Sequence, residues 1–342
     1  MTAGYKFNCV ATGIGSMPHT DAAKACELIY KYLKQLPFWP QLPARSPLEN
    51  MYLQYSQGFP GMQEQNGKAA VIRSSNFDED LERLYHDYEE KRSENYGVTA
   101  DHAAGLYAFE SLKFKYPHMI KGQITGPISW GLAVTDEAGR GILYDDLLAE
   151  TAAKFLHLKA AWQENFLHGI SPHTIIFLDE PYLSSLGSAF VSISNQLVSS
   201  LLEEVMSGIG GIKGIHCCGA TDWSLLLNSS TDILSFDTYN YADSLACYPA
   251  EVKAFLQRGG NIAWGIVPND ADPLAGETAA SLMDRLGEAI SAYTYDGISY
   301  RQVLSQSLLT PSCSLTSLSI DAAESALQVL DEVSRRLQTK LP

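Results

Sequence analysis

Short apolar runs alternate with longer amphipathic segments along most of the chain. Short apolar runs bounded by glycine, proline or polar residues are typical of buried parallel strands, and apolar residues spaced three and four apart are typical of helices that cover them. The pattern predicts strands within seven segments: 8–15, 118–125, 174–179, 211–217, 232–238, 260–267 and 306–312. An eighth segment, 37–43, contains three prolines, which weaken the prediction of a strand there.

Helical patterns occupy the intervals between these runs, at 20–35, 78–94, 99–115, 136–168, 189–208, 243–258, 274–293 and 321–339. Strands that alternate with helices form βαβ units and a parallel sheet. Seven or eight such units favour a closed (β/α)8 barrel, the TIM barrel, over an open doubly wound sheet. We therefore predict an α/β fold in which residues 1–342 form a single barrel, with an inserted hairpin near 64–75 that turns at Asn66 and Gly67.

The composition is that of a globular protein, and the charge excludes several kinds of partner. Hydrophobic residues make up 46% of the 342 residues and charged residues 18%, which allows a large buried core. The net charge of −15 repels phosphate backbones and anionic lipids, so we expect neither a nucleic-acid partner nor a membrane partner. No apolar run is long enough to cross a bilayer and no signal-peptide pattern appears, so we expect a cytoplasmic protein.

Reactive residues follow several of the predicted strands. His216 and Cys218 stand at the end of one strand, Asp237 at the end of the next, and Cys313 after the last. In a (β/α)8 barrel the carboxyl ends of the strands form one ring that carries the active site, so these residues are expected to converge. Residues two apart in a strand face the same side, which pairs His216 with Cys218 and turns Cys217 away.

These residue types match a tetrahedral Zn²⁺ site with His216, Cys218, Cys313 and Asp237 as ligands. Other interpretations stay open, because a lone buried cysteine is usually a small hydrophobic residue and an acid at Asp237 could bind substrate instead. Zinc deprotonates a coordinated thiol, and the thiolate is the nucleophilic form. The two thiols therefore favour thiol alkylation over hydrolysis, since hydrolytic zinc sites more often use three histidines or two histidines and a glutamate.

Five short motifs resemble the C-terminal catalytic barrel of the cobalamin-independent methionine synthases. They follow the family's order and approximate spacing over nearly the whole chain. The wider superfamily includes uroporphyrinogen decarboxylases and corrinoid-protein:thiol methyltransferases. The motifs are Gly13-Ile14-Gly15-Ser16, Lys121-Gly122-Gln123-Ile124-Thr125-Gly126-Pro127, Leu178-Asp179-Glu180-Pro181, His216-x-Cys218 and Thr310-Pro311-Ser312-Cys313.

The resemblance implies a role for each of the metal-binding candidates. His216, Cys218 and Cys313 match the zinc ligands, which are also the catalytic residues. Asp237 matches a position where the family carries a glutamate ligand, and the shorter aspartate side chain is a departure from that pattern.

The resemblance also implies a homocysteine site. Ile14 and Ser16 match residues that hold the substrate carboxylate, and Asp179 matches the residue that binds its amino group. The simpler interpretations are a tight turn at residues 13–16 and a helix start with Asp179 as its N-cap. Segment 41–46 lacks the acidic residues with which the family helps to hold the amine.

The function implied is methyl transfer to the thiol of homocysteine, which forms methionine. The N-terminal barrel that helps the long family members bind folate has no counterpart in this sequence. We therefore expect methylcobalamin or a methylated corrinoid protein as the donor, ahead of methyltetrahydrofolate.

Three alternatives are a corrinoid-dependent methyltransferase acting on another thiol such as coenzyme M, a uroporphyrinogen decarboxylase, and a non-catalytic zinc- or thiol-binding protein. Coenzyme M has no amine for Asp179 to bind. Arg45 is the one arginine near the predicted strand ends, which is too few for the carboxylates of a porphyrinogen.

Overall fold

The computed structural model describes residues 5–65, 67–112, 118–188, 191–294 and 297–341. Within these ranges the strands are β1 (Val10–Ala11), β2 (Met62–Gln65), β3 (Lys68–Val71), β4 (Met119–Thr125), β5 (His173–Asp179), β6 (Ile212–Cys217), β7 (Ile233–Phe236), β8 (Asn261–Val267) and β9 (Ser307–Pro311).

The helices of the described ranges surround the large sheet. None of them combines the length and the apolar character that a membrane crossing requires. They are α1 (Ala22–Tyr32), α2 (Met51–Gln54), α3 (Phe77–Glu89), α4 (Ala104–Ser111), α5 (Pro127–Ala133), α6 (Asp146–His168), α7 (Asn195–Ser207), α8 (Trp223–Leu227), α9 (Thr238–Ala246), α10 (Pro249–Gln257), α11 (Ala271–Gly276), α12 (Ala279–Ser291), α13 (Tyr300–Ser305) and α14 (Ile320–Gln338).

Seven parallel strands form one curled sheet in the order β1-β9-β8-β7-β6-β5-β4. Each strand lies within one residue of a segment that the apolar pattern predicts, and the α/β class is confirmed. The strands from β4 to β9 are joined in sequence by helical crossovers, and β1 pairs with β9 in parallel. The carboxyl ends of all seven strands therefore lie at the same edge of the sheet.

The described residues do not show a continuous eight-stranded barrel. β1 and β4 are the edges of the seven-stranded sheet, and segment 37–41 lies between them without forming an extended strand. It makes isolated parallel bridges to both sides, from Gln41 to Ser16 and from Phe38 to Lys121. Prolines in this segment lack the N–H that a continuous ladder requires.

β2 and β3 pair as an antiparallel hairpin over residues 62–71, in the region of the hairpin predicted near 64–75. Gly67 has a φ of +74°, which glycine adopts without strain in a tight turn. Asn66, the other residue of the predicted turn, lies outside the described residues.

The interior enclosed by the sheet changes from apolar to polar along the strands. Beyond the apolar part of the interior, buried polar side chains lie nearer the carboxyl ends of the strands. They include Lys121, Gln123, Asp179 and His216. This gradient places buried polar groups at the end of the sheet where the predicted site lies. The apolar cluster at the opposite end consists of Phe7, Leu36, Met119, Ile175, Phe177, Ile212, Ile233, Ala263 and Leu308.

Lys159 on α6 is fully buried outside the strand interior, where its Nζ donates to the carbonyl of Tyr96 over 3.3 Å. Burial lowers the pKa of Lys159 to about 7. An unfolded lysine keeps its proton up to about pH 10.4, so between these values the unfolded chain binds one more proton than the folded protein. The buried Lys159 therefore lowers the free energy of unfolding most at and below pH 7, and it lowers it less as the pH rises.

Lys159→Met is therefore expected to stabilise the protein most near pH 7. The gain in free energy of unfolding over the parent should fall by about 1.4 kcal/mol per pH unit from pH 7 to 10. Urea unfolding across this range measures it, with Lys154→Met on the same helix, an ion-pair partner of Glu150, as control. A difference between Lys159→Met and the parent that does not change with pH would contradict the prediction.

Candidate active site

The structure brings Cys218 and Cys313 together. Cys218 follows β6 and Cys313 follows β9, and β7 and β8 lie between them in the sheet. Their side chains lie close enough to interact, and this interaction lowers the pKa of the Cys218 thiol and raises that of Cys313. Cys218 is therefore the thiol of the pair that loses its proton more readily, and its thiolate would be both a nucleophile and a metal ligand.

His216, two residues before Cys218 on β6, presents a free ring nitrogen. The side chain is buried, its Nδ1 lies 3.0 Å from the Ser235 hydroxyl on β7, and its buried Nε2 has no hydrogen-bond partner among the described residues. Burial, and secondarily the charge of Lys121, lowers the pKa of His216 to about 3, so the imidazole is neutral. A neutral imidazole whose second nitrogen is held by a partner is the usual form of a metal-binding histidine.

The donor types fit zinc, although a complete ligand set is not already assembled. Within the part of the chain that the structure describes, no group of three or more His, Cys, Asp or Glu side chains is arranged to hold a metal ion. The structure provides a thiol pair and, on the strand that Cys218 follows, an imidazole nitrogen without a hydrogen-bond partner. Sulfur and imidazole nitrogen are the donors that structural and thiol-activating zinc sites prefer. The zinc ion itself stays a prediction.

Asp237 is the N-cap of α9. Its Oδ1 accepts the backbone N–H of Asn240 over 2.9 Å, and its Oδ2 accepts the Asn240 side-chain amide over 2.7 Å. Burial raises the pKa of Asp237. Since both oxygens already accept hydrogen bonds, a bond from Asp237 to a metal would compete with the cap of the helix.

Gly265 on β8 allows the ends of three strands to approach each other. A Cβ at this position would lie 3.2 Å from the Cα of Asp237 and 3.0 Å from the Cα of Ser312. Those two residues follow β7 and β9, so a larger side chain at position 265 would push the loops of the site apart.

Asp179, the last residue of β5, is the acidic residue of the predicted substrate site. It is 7% exposed, its register neighbour on β6 is His216, and its Oδ1 has no partner among the described residues. Burial raises the pKa of Asp179 to about 7, and the positive charge of Lys121 opposes that rise. The interpretation of Asp179 as a helix N-cap is wrong, because Asp179 belongs to the strand and Glu180 precedes the 3-10 turn that follows.

Lys121 on β4 supports this site, a role that the sequence analysis did not assign to it. Its Nζ donates to the carbonyl of Ile14 over 2.6 Å and to Gln123 Oε1 over 3.2 Å, and it lies 4.7 Å from the centre of the Phe177 ring. Burial lowers the pKa of Lys121 to about 8, while the carboxylate of Asp179 raises it. A lysine at an inward position of an apolar strand was the available sequence signal, since such a charge needs a buried partner.

Ile14 and Ser16 lie on the segment after β1, and hydrogen bonds to their carbonyls hold them in place. Ile14 accepts the Lys121 amine, and Ser16 accepts the N–H of Leu315 over 3.1 Å. The Ser16 hydroxyl donates to Gln41 Oε1 over 3.1 Å. Within the described residues the backbone N–H groups of Ile14 and Ser16 donate to no protein acceptor, so both are free to bind an anionic group.

Segment 41–46 supplies no free acid to this site, as the sequence indicates. The Gln41 amide donates to Gln54 Oε1 over 2.6 Å and carries no charge. The nearest acid along the chain, Glu49, is buried, forms an ion pair with Arg45 at 2.9 Å and accepts the N–H of Leu42. Asp179 is therefore the acid of the predicted substrate site that keeps a free oxygen.

No family model and no curated protein matches the sequence. Solved structures match nearly the whole chain in fold, among them the following three. One is a B12-independent methionine synthase from Shewanella sp. W3-18-1 in complex with selenomethionine, which is 15% identical to this chain with a TM-score of 0.61. The alignment covers 97% of this chain and 98% of that chain. A putative vitamin-B12-independent methionine synthase from Listeria monocytogenes is 14% identical with a TM-score of 0.59, with the same coverage.

The third structure is a methyltransferase from Methanosarcina mazei, which is 11% identical with a TM-score of 0.56. The alignment covers 97% of this chain and 94% of that chain. The chain shares their fold. At these identities the likeness concerns the architecture, and the chemistry has to be argued from the side chains described above.

Proposed function

We propose that the protein transfers a methyl group to the thiol of homocysteine and so forms methionine, with a Zn²⁺ ion held by His216, Cys218 and Cys313. The observation that carries this proposal is the contact between the Cys218 and Cys313 thiols beside an imidazole whose Nε2 is buried and unpartnered. The names of the structures that share the fold, two of them described as methionine synthases, agree with it.

The residues divide the work between metal and substrate. When bound, zinc would hold the homocysteine sulfur as a thiolate, which is nucleophilic at neutral pH. A free thiol, with a pKa of about 8.5, is mostly protonated at that pH. The thiolates of Cys218 and Cys313 would lower the net charge at the metal, so that the substrate sulfur keeps its nucleophilicity. The Ser235 hydroxyl holds the His216 ring so that Nε2 faces the buried interior.

The amino-acid part of homocysteine fits the groups left free beside the thiols. The N–H groups of Ile14 and Ser16 suit its carboxylate, and the free Oδ1 of Asp179 suits its ammonium. Lys121 supports both contacts, because it holds the Ile14 carbonyl and its charge favours the ionised form of Asp179. Coenzyme M has no ammonium for Asp179, which favours homocysteine as the acceptor.

Asp179→Asn is expected to weaken homocysteine binding by roughly ten- to a hundredfold while zinc stays bound. Loss of a charge-assisted hydrogen bond to an ammonium costs on the order of 1.5–3 kcal/mol. Calorimetry of homocysteine binding measures the change, and elemental analysis measures the zinc. Asp232→Asn, at the opposite end of the sheet, is the matched control. Unchanged affinity in Asp179→Asn would show that another group holds the amine or that the true substrate has none.

We further propose methylcobalamin or a methylated corrinoid protein as the methyl donor. Methyltetrahydrofolate is a poor donor because its leaving group is a weakly acidic amine, whereas the cobalt of methylcobalamin leaves as a stable low-valent species. Two of the structures that share the fold are named as B12-independent, and this chain covers 98% of each. Because those two proteins are named as independent of B12, methyltetrahydrofolate is the alternative donor against which methylcobalamin has to be tested.

The function is tested by incubating the zinc-loaded protein with homocysteine and either methylcobalamin or methyltetrahydrofolate, and by measuring methionine. We expect methionine from methylcobalamin at a rate well above any rate from methyltetrahydrofolate. A rate from methyltetrahydrofolate that equals or exceeds it would overturn the donor assignment. Absence of methionine with both donors would overturn the proposed function itself.

A further inference from the structure

We propose that Asn269, on the loop after β8, is a positioning residue for Cys313. Its Oδ1 accepts the Ser312 hydroxyl over 2.8 Å, and its Nδ2 donates to the carbonyl of Ser314 over 3.2 Å. The backbone N–H of Asn269 also donates to the Ser312 hydroxyl over 3.2 Å. One side chain therefore binds the residue before Cys313 and the residue after it.

Cys313 needs such support because it lies beyond the strand. β9 ends at Pro311, so the ladder of the sheet does not fix the direction of the Cys313 side chain. Ser312 is still tied to β8 through its N–H, which donates to the carbonyl of Val267 over 2.7 Å. Past Ser312, the Asn269 side chain joins the Cys313 turn to the loop after β8 through its bond to the carbonyl of Ser314.

The Asn269 loop is itself anchored to the same turn. The carbonyl of Asn269 accepts the Ser317 hydroxyl over 2.9 Å, so the backbone and side chain of Asn269 contact residues on both sides of Cys313. Ser312 is fully buried, and its hydroxyl both donates to and accepts from Asn269. These mutual bonds fix one geometry of the turn, which keeps the Cys313 sulfur beside Cys218.

The inference rests on the proposed function, because it assigns Asn269 a part in holding a zinc ligand. Residues that orient metal ligands contribute to metal affinity without touching the ion, and their removal typically costs about 10- to 100-fold in affinity. A purely structural residue would change the stability of the fold without changing the coordination of the metal.

The test compares Asn269→Ala and Asn269→Asp with the parent and with Asn228→Ala. Asn228 is an exposed control, whose side chain donates to the carbonyl of Ser224 over 2.8 Å at the end of α8. Zinc affinity is measured by competition with a chromophoric chelator, and coordination by the visible spectrum of the Co²⁺-loaded protein. Circular dichroism of each variant checks the fold.

We expect Asn269→Ala to bind zinc about 10- to 100-fold more weakly than the parent and to lose part of the thiolate-to-cobalt absorption, since Cys218 remains a ligand. Asn269→Asp keeps the acceptor for Ser312 but not the donor to Ser314, so its affinity should be intermediate. Asn228→Ala should match the parent in both measurements.

Parental affinity and an unchanged cobalt spectrum in Asn269→Ala would overturn the positioning role and leave the zinc proposal standing. A parent protein that binds neither metal would overturn both proposals. If Asn269→Ala does not fold, Ser312→Ala removes only the hydroxyl that Asn269 binds, and the same two outcomes decide the question.

Discussion

Replacing Cys218 by serine is expected to remove zinc from the protein and to abolish methyl transfer. A serine hydroxyl stays protonated at neutral pH and is a poor ligand for zinc compared with a thiolate. Without the metal the homocysteine thiol remains mostly protonated, so the nucleophile is missing. Cys313→Ser should give the same result, since the two thiols lie in contact. Elemental analysis of purified protein and a methionine assay measure both losses.

Cys217→Ala provides the matched control for this prediction. Cys217 is adjacent to Cys218 but is fully buried in the core between sheet and helices, and its thiol donates to the carbonyl of Gly219. That variant should keep both zinc and activity. Zinc content and turnover that survive in Cys218→Ser would show that the thiol pair is not the metal site.

Glu180→Ala is expected to lower the free energy of unfolding by roughly 3–5 kcal/mol, because it leaves several buried donors without an acceptor. The fully buried carboxylate of Glu180 accepts the N–H of Ile128 over 2.9 Å, the N–H of Ser129 over 2.8 Å and the Ser129 hydroxyl over 2.6 Å. These bonds join the end of β5 to the first turn of α5. Gly126 makes room for them, since a Cβ there would lie 2.2 Å from Glu180 Oε1.

Urea unfolding followed by circular dichroism measures this loss. Glu150→Ala is the control, since the exposed Glu150 forms only a surface ion pair with Lys154, and its cost should stay below about 1 kcal/mol. Equal stability of Glu180→Ala and Glu150→Ala would mean that the buried carboxylate does not hold α5. Because Glu180 adjoins Asp179, the same variant should also weaken homocysteine binding.

The strands of the large sheet could be predicted from the sequence because they are short, mostly buried runs, and four of them (β4, β7, β8 and β9) are buried along their whole length. β8, for example, is buried along its whole length and reads as an apolar segment between glycines and polar residues. The long helical pattern over 136–168 was too long, since the helix begins at Asp146. Gly139 has a φ of +76° and Asp145 caps the first turn of α6, so the helix starts about ten residues later than the pattern indicates.

The segment expected to supply an eighth strand could be located from the sequence, but its pairing could not be predicted. Segment 37–41 lies between β1 and β4, where the repeat of units puts it, yet its prolines leave only isolated bridges. Whether such a segment pairs as a strand depends on tertiary contacts that periodicity does not contain.

The convergence of the two site cysteines followed from their places after parallel strands. Their supporting residues did not follow, because a hydrogen bond such as that between Asn269 and Ser312 depends on how two loops meet in space. The signal for Ser235 was weak but present, since it stands two residues before Asp237, and this spacing in an extended segment places two side chains on one side. The capping of α9 by Asp237 did not follow from the sequence, because the helical pattern was placed at 243–258 whereas α9 begins at Thr238.

X-ray absorption at the zinc edge tests the central claim most directly. For the zinc-loaded protein we predict sulfur neighbours from both Cys218 and Cys313 at about 2.3 Å and nitrogen from His216 at about 2.0–2.1 Å. Addition of homocysteine should add one further sulfur neighbour to the zinc shell. A shell that contains only nitrogen and oxygen, or fewer than two sulfur neighbours before homocysteine is added, would contradict the account.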